Sequence, residues 1–156
     1  MNYLMLNSIF CLLIFAARLP IEAQEKPLVT LEKAYSEWTG EQTLELNLTF
    51  HIQDGLYIQV DRPSDPYLIP TEISFSEIDC LEKIDLHFPE YEMRKIYDNN
   101  SAQSIFSGVI QVKAFFNFSC RPNLKEWNGV LYFQACSDRK CFYPRTLEFS
   151  INLFPL

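Results

Sequence analysis

Cys136 and Cys141 stand four residues apart, bracketing Ser137, Asp138, Arg139 and Lys140. Between two strands this spacing makes a hairpin with a cysteine at each end of the loop. Directly opposed residues of an antiparallel pair have Cα atoms about 4.5–5.5 Å apart, and a disulfide accepts about 4.4–6.8 Å. The two sulfurs can therefore bond or part with little backbone movement, as a redox couple requires. Arg139 and Lys140 would lower the pKa of a thiol beside them and favour the attacking thiolate, while Asp138 opposes them. Three readings of the hairpin follow: thiol–disulfide exchange, a local staple, or metal binding. A loop this short gains little from the chain-entropy mechanism, which makes stapling the less economical of the first two. Zinc would need two further ligands, and His51 and His87 are distant in sequence. A thioredoxin-like site is not indicated, because its C-x-x-C spacing and βαβ setting are both missing.

The elements that must position this hairpin read as strands. Leu44, Leu46, Leu48, Phe50 and Ile52 alternate with polar residues, the period of two of a half-buried strand. Asp54-Gly55 is a hairpin turn signal, with residues 56–60 as its return strand. Pro63, Pro66 and Pro70 punctuate a loop and an edge-like segment. Residues 73–75 and 84–88 alternate again, as do 110–118, 130–135 and 146–153. Residues 90–99 read as loop, bracketed by Pro89 and Asn99-Asn100. Several short strands separated by turn signals predict an all-β antiparallel sandwich.

Strand parity places Leu131, Phe133 and Ala135 on the core face and Cys136 on the opposite face with Tyr132 and Gln134. That predicts a Cys136 sulfur near the surface. Register adds a further expectation. If Cys136 opposes Cys141, paired numbers sum to 277, and Leu131 would meet Thr146, mixing core and outward residues on one face. One extra residue in the second strand raises the sum to 278 and pairs Leu131 with Leu147. A one-residue slip flips every side chain, so a bulge or break is expected between Cys141 and Leu147, near Pro144, which cannot donate to the ladder.

Residues 1–23 are expected to be a secretory signal peptide. Their apolar run, residues 8–17, is too short for a membrane span of about 20 residues, and Ala23 supplies a small residue at the cleavage point. A lipid anchor at Cys11 and an uncleaved membrane anchor are the other readings. Removal takes away Arg18 and Glu22, so the net charge of −7 is unchanged. One domain over residues 25–156 is expected, periplasmic or secreted, with no membrane span in the mature chain. Four cysteines then remain, an even number that suits an oxidising compartment. Cys80 and Cys120 form either a second, structural disulfide or two packed thiols. Asn47, Asn99 and Asn117 open N-x-[ST] sequons. With 13 Lys and Arg against 20 Asp and Glu, the chain is unsuited to nucleic acid, whose binding rests on phosphate neutralisation. Four glycines leave no phosphate loop, and no cofactor or metal is called for.

The run YFQACSDRKCFYP resembles the Y-Q-[AG]-C-x(4–5)-C-x-P-P signature of the N-terminal, periplasmic alpha domain of the thiol:disulfide interchange protein DsbD. Residues 51–75 are similar to that family's early hairpin and following strand, and residues 88–91 to the lead-in to its cap. The resemblance spans residues 42–153. It implies an immunoglobulin-like sandwich that transfers electrons by thiol–disulfide exchange, as an oxidoreductase of the protein-disulfide reductase type or an electron carrier. It makes Cys136 and Cys141 the redox pair, with Tyr57, Tyr132, Gln134, Tyr143 and Pro144 in support. A cap loop over residues 90–108 would shield them, with Ile96 or Tyr97 as the covering side chain. Tyr143 departs from the family's first proline, and Gln59 from a second aromatic. The partners implied are a thioredoxin-like or membrane electron donor supplied in trans and exported, disulfide-bearing acceptor proteins. A non-enzymatic secreted immunoglobulin-like binding module with structural disulfides is the alternative from a different class.

Overall fold

The computed structural model describes residues 26–95 and 102–153, and all regular structure in them is β. In chain order the strands are β1 Val29–Trp38, β2 Thr43–Ile52, β3 Tyr57–Gln59, β4 Glu72–Phe75, β5 Leu81–His87, β6 Glu92–Lys95, β7 Ala102–Ser107, β8 Val109–Phe118, β9 Glu126–Phe133, β10 Ala135–Cys136 and β11 Arg145–Asn152. One sheet has the order β1-β2-β8-β5 and a second β11-β9-β4, with every pairing antiparallel. Numbering these seven strands in succession gives the order first-second-fifth-fourth in one sheet and third-sixth-seventh in the other. That is the constant-type immunoglobulin arrangement, so the sandwich expected from the alternation is the fold the chain adopts.

The alternation becomes packing directly. Along β2, Leu44, Leu46, Leu48, Phe50 and Ile52 are all buried, and the residues between them are partly exposed. β8 does the same with Ile110, Val112, Ala114, Phe116 and Phe118. The sheets meet through aromatic rings: Phe116 of β8 lies 4.8 Å from Trp127 of β9, and Phe50 of β2 lies 5.8 Å from Phe149 of β11. Each ring adds edge-to-face attraction to the burial of its own area.

A third group of strands, β10-β3-β7-β6, builds the site. β7 and β8 are one run of chain bent at Gly108, whose φ of 62° lies in the region open to glycine. The bend lets the run leave the β2–β8–β5 ladder and pair with β3. Here the structure corrects two expectations. The Asp54-Gly55 turn is present, closed by the Leu56 N–H donating to the Gln53 carbonyl at 3.0 Å, with Gly55 at φ 79°. It does not make a hairpin: β2 pairs with β1 and β8, whereas β3 pairs with β10 and β7. The turn carries the chain between sheets, because both edges of β2 are already occupied. Residues 90–99 are not all loop either, since Glu92–Lys95 form β6 on β7.

The register at the cysteine hairpin shifts as the hydrophobic pattern demands. Cys136 pairs with Cys141, a sum of 277. From Arg145 and Phe133 onward the sum is 278, and Leu131 meets Leu147. The extra residue falls among Phe142, Tyr143 and Pro144. Leu131 is fully buried and Leu147 half-buried against the same core.

Candidate functional site: the Cys136–Cys141 hairpin

β9 ends at Phe133 and the chain resumes pairing as β10, this time with β3. Cys136 lies opposite Tyr57 on one side and Cys141 on the other. Hydrogen bonds flank the cysteine pair: the Ser137 N–H donates to the Lys140 carbonyl and the Phe142 N–H to the Ala135 carbonyl, both at 2.8 Å. Cys136 and Cys141 thus occupy a non-hydrogen-bonded position of the ladder, where opposed residues come closest. Their sulfurs are bonded, with Cα atoms 3.9 Å apart, below the separation expected from the spacing. The tight four-residue loop pulls the strand ends together.

The loop is braced from within. Ser137 Oγ accepts from the N–H groups of Arg139 (3.3 Å) and Lys140 (3.2 Å) and donates to the Lys140 carbonyl (3.1 Å). Gln134 Nε2 donates to the Phe142 carbonyl at 2.9 Å, tying the two stems together just below the disulfide. Arg139 and Lys140 are exposed, and the Lys140 ammonium lies 4.8 Å from the centre of the Phe142 ring.

The two sulfurs have different surroundings. Cys141 is exposed. Cys136 is 0% exposed, which corrects the expectation of a surface sulfur. Parity did place it off the main core: it forms a separate buried cluster with Tyr57 and Ile105. These side chains share one face of the third sheet, so the face opposite the main core is covered here.

The cover reaches the cysteine loop. The Arg94 guanidinium of β6 lies 5.3 Å from the centre of the Tyr57 ring, and its Nη1 lies 3.7 Å from Asp138 Oδ1 in the loop. One cation therefore spans from β6 across Tyr57 to the segment between the two cysteines. Beside it, Glu92 accepts from Ser107 Oγ at 2.9 Å. Gln59, buried on the Tyr57 side of β3, donates Nε2 to Gln103 Oε1 at 3.4 Å.

Burial holds the Tyr57 phenol above its ordinary pKa of 10.0; the Asp138 carboxylate pushes it the same way, and Arg94 partly offsets both. Above pH 10 the unfolded chain gives up this proton first, so the contribution is complete below about pH 10 and is lost as pH rises through the folded value. Tyr57→Phe is expected to remove that part of the alkaline destabilisation. Urea midpoints of the parent and the variant across the alkaline range measure it, and identical alkaline slopes would count against it.

The remaining residues expected at the site divide. Tyr143 is 91% exposed next to the hairpin, and Pro144 is half-buried where the register shifts. Tyr132 is directed elsewhere: it lines a cleft of about 360 Å³ with Asp61, Arg62, Thr71, Glu72 and Phe88. Ile96 and Tyr97 lie outside the described residues. Cys80 and Cys120 are bonded, with Cα atoms 5.4 Å apart at a sequence separation of 40. They join the turn before β5 to the end of β8, and Cys120 precedes β9 while Cys136 follows it, so the two disulfides sit at opposite ends of that strand. A closed loop of that length is worth about 4 kcal/mol on the chain-entropy account. Arg94 and Ile105 carried no sequence signal, since each reaches the cysteines only through pairing with strands distant in the chain.

No family model matches the sequence, and no curated protein does. Solved structures are similar to the chain. The N-terminal periplasmic domain of ScsB from Proteus mirabilis has a TM-score of 0.62 and 13% identity over 82% of this chain. The chain spans 47% of that structure's length. The DsbD N-terminal domain from Neisseria meningitidis, in its reduced form, has a TM-score of 0.43 and 18% identity, covering 76% of this chain and 83% of its own. The GAE domain of GGA2p from Saccharomyces cerevisiae has a TM-score of 0.47 and 7% identity, covering 83% and 95% respectively. The likeness to the ScsB domain concerns the fold. A periplasmic N-terminal domain, that of ScsB, thus stands among the structural neighbours of this immunoglobulin-like sandwich.

Proposed function

We propose that the chain is an exported thiol–disulfide exchange protein that passes reducing equivalents through the Cys136–Cys141 pair to disulfide-bearing partner proteins. The observation that carries this reading is the asymmetric pair: one cysteine exposed on a braced hairpin, the other fully buried beside Tyr57 and Ile105. An incoming dithiol's thiolate attacks Cys141 Sγ. The Cys136–Cys141 bond breaks, a mixed disulfide forms, and Cys136 leaves as the thiolate, which takes up a proton. The donor's second thiol then attacks the mixed disulfide, so the donor ends oxidised and the hairpin reduced. Running the same steps against an acceptor's disulfide returns the pair to the oxidised state. The donor is supplied in trans by a thioredoxin-like or membrane protein, and the acceptors are exported proteins. Residues 1–23 act as the signal peptide, and residues 25–156 form the redox domain. The sequence likeness to the DsbD alpha domain supports this assignment, as does the hairpin geometry.

Equilibration with glutathione and thioredoxin buffers tests the proposal, with alkylation of Cys136 and Cys141 read by mass. Structural disulfides lie below about −300 mV, and exchange-active ones lie higher. The pair is expected to equilibrate above that limit. A pair that stays oxidised throughout would return the chain to the alternative, a binding module with structural disulfides.

A further inference from the structure

The cysteine hairpin is a basic spot on an acidic chain. The whole sequence carries 13 Lys and Arg against 20 Asp and Glu. The four residues between the cysteines contain Asp138, Arg139 and Lys140, and the one carboxylate is engaged by Arg94. Lys140 is held over the Phe142 ring, which keeps its charge beside Cys141 without neutralising it. The backbone of the loop is fixed through Ser137, so both cations are presented from a braced frame. Cys141 follows directly and is exposed, and Tyr143, two residues on, is 91% exposed. Exposed cations around a reacting sulfur, on a body of opposite sign, attract an anionic partner to that spot and repel it elsewhere.

We propose that this surface docks a thiol protein whose reactive cysteine is bordered by carboxylates, with Arg139 and Lys140 as the residues that select it and Tyr143 as the adjoining aromatic contact. The inference rests on the exchange function proposed above and names the chemistry of its partner. The selection acts on encounter with Cys141. It is separate from any effect of the two cations on the reactivity of the sulfurs, because that effect is the same for every attacking thiol.

The probes are three monothiol tripeptides, Glu-Cys-Glu, Gly-Cys-Gly and Lys-Cys-Lys, each reacted with the oxidised protein under pseudo-first-order conditions. The parent is compared with Arg139→Glu/Lys140→Glu, and with Arg139→Gln as a milder change. Taking the rate ratio of parent to variant for each peptide cancels the peptide's own nucleophilicity. Reversal is expected to slow the acidic peptide about tenfold at low salt relative to the neutral one and to speed the basic peptide. Both effects should collapse in about 1 M salt, where the screening length falls to about 3 Å. Arg139→Gln should fall between. Equal ratios for the three peptides would overturn the docking proposal while leaving exchange itself intact. A parent that fails to react even with Gly-Cys-Gly would instead remove the exchange function, and the docking proposal with it.

Discussion

With only one of the paired cysteines left, the two single-thiol proteins are expected to differ in reactivity about a hundredfold. Cys136→Ser, which keeps the exposed Cys141, should form a mixed disulfide rapidly with an aromatic disulfide reagent. Cys141→Ser, which keeps Cys136, should react far more slowly. The reason is access. Displacement at sulfur needs an approach along the S–S axis of the reagent, and the Cys136 side chain is fully buried with Tyr57 and Ile105. Reaction there requires local opening, and an opening cost of about 3 kcal/mol is roughly a hundredfold in rate. The cover is fastened by the Arg94 contacts to the Tyr57 ring and Asp138. Adding Arg94→Ala to the Cys141→Ser protein should therefore recover part of the lost rate, while the same change in the Cys136→Ser protein should have little effect. Stopped-flow release of the aromatic thiolate reads both comparisons. Equal rates for the two single-thiol proteins would show that the assigned asymmetry is wrong.

The features visible in the sequence were those written as local periodicity. The alternation in β2 and β8 survives as alternating burial, because each strand has one face on the core. The one-residue slip between the 277 and 278 registers was also legible. Pairing the cysteines and pairing Leu131 with Leu147 cannot both be satisfied without it. β6 escaped notice because it is a mostly exposed strand at the edge of its sheet, with no apolar face to impose a period. The β2–β3 hairpin was misread for a different reason. The Asp54-Gly55 turn is a local signal, but partner choice is decided by β8 and β1 competing for the edges of β2. The burial of Cys136 was missed for a related cause. Parity gives the face a side chain is on, and here Cys136 is buried on that face in a cluster with Tyr57 of β3 and Ile105 of β7, which sequence spacing cannot show. The site was thus legible in its reactive pair and illegible in what encloses it.

Trp127→Ala is expected to cost about 3–5 kcal/mol, against a total stability of about 5–15 kcal/mol for a domain of this kind. Trp127 is the hub of the aromatic contact between the two main sheets. Its ring lies 5.0 Å from Phe75, 4.8 Å from Phe116 and 6.2 Å from Phe118, and it is almost fully buried. Its indole Nε1 donates to the Ser76 carbonyl at 2.8 Å, which fixes the ring's orientation and ties β9 to the segment after β4. Truncation removes the buried area and that hydrogen bond together. Neighbours from two sheets surround the void and cannot close it without moving a strand. Trp127→Phe keeps a ring between the sheets and should recover part of the loss, leaving the cost of the smaller ring and the missing donor. Because Trp127 precedes Cys136 by a full strand, the single-thiol rates above should be unchanged in any Trp127→Phe protein that remains folded. Urea unfolding followed by circular dichroism measures the stability change, and a loss under about 1 kcal/mol for Trp127→Ala would contradict the packing described here.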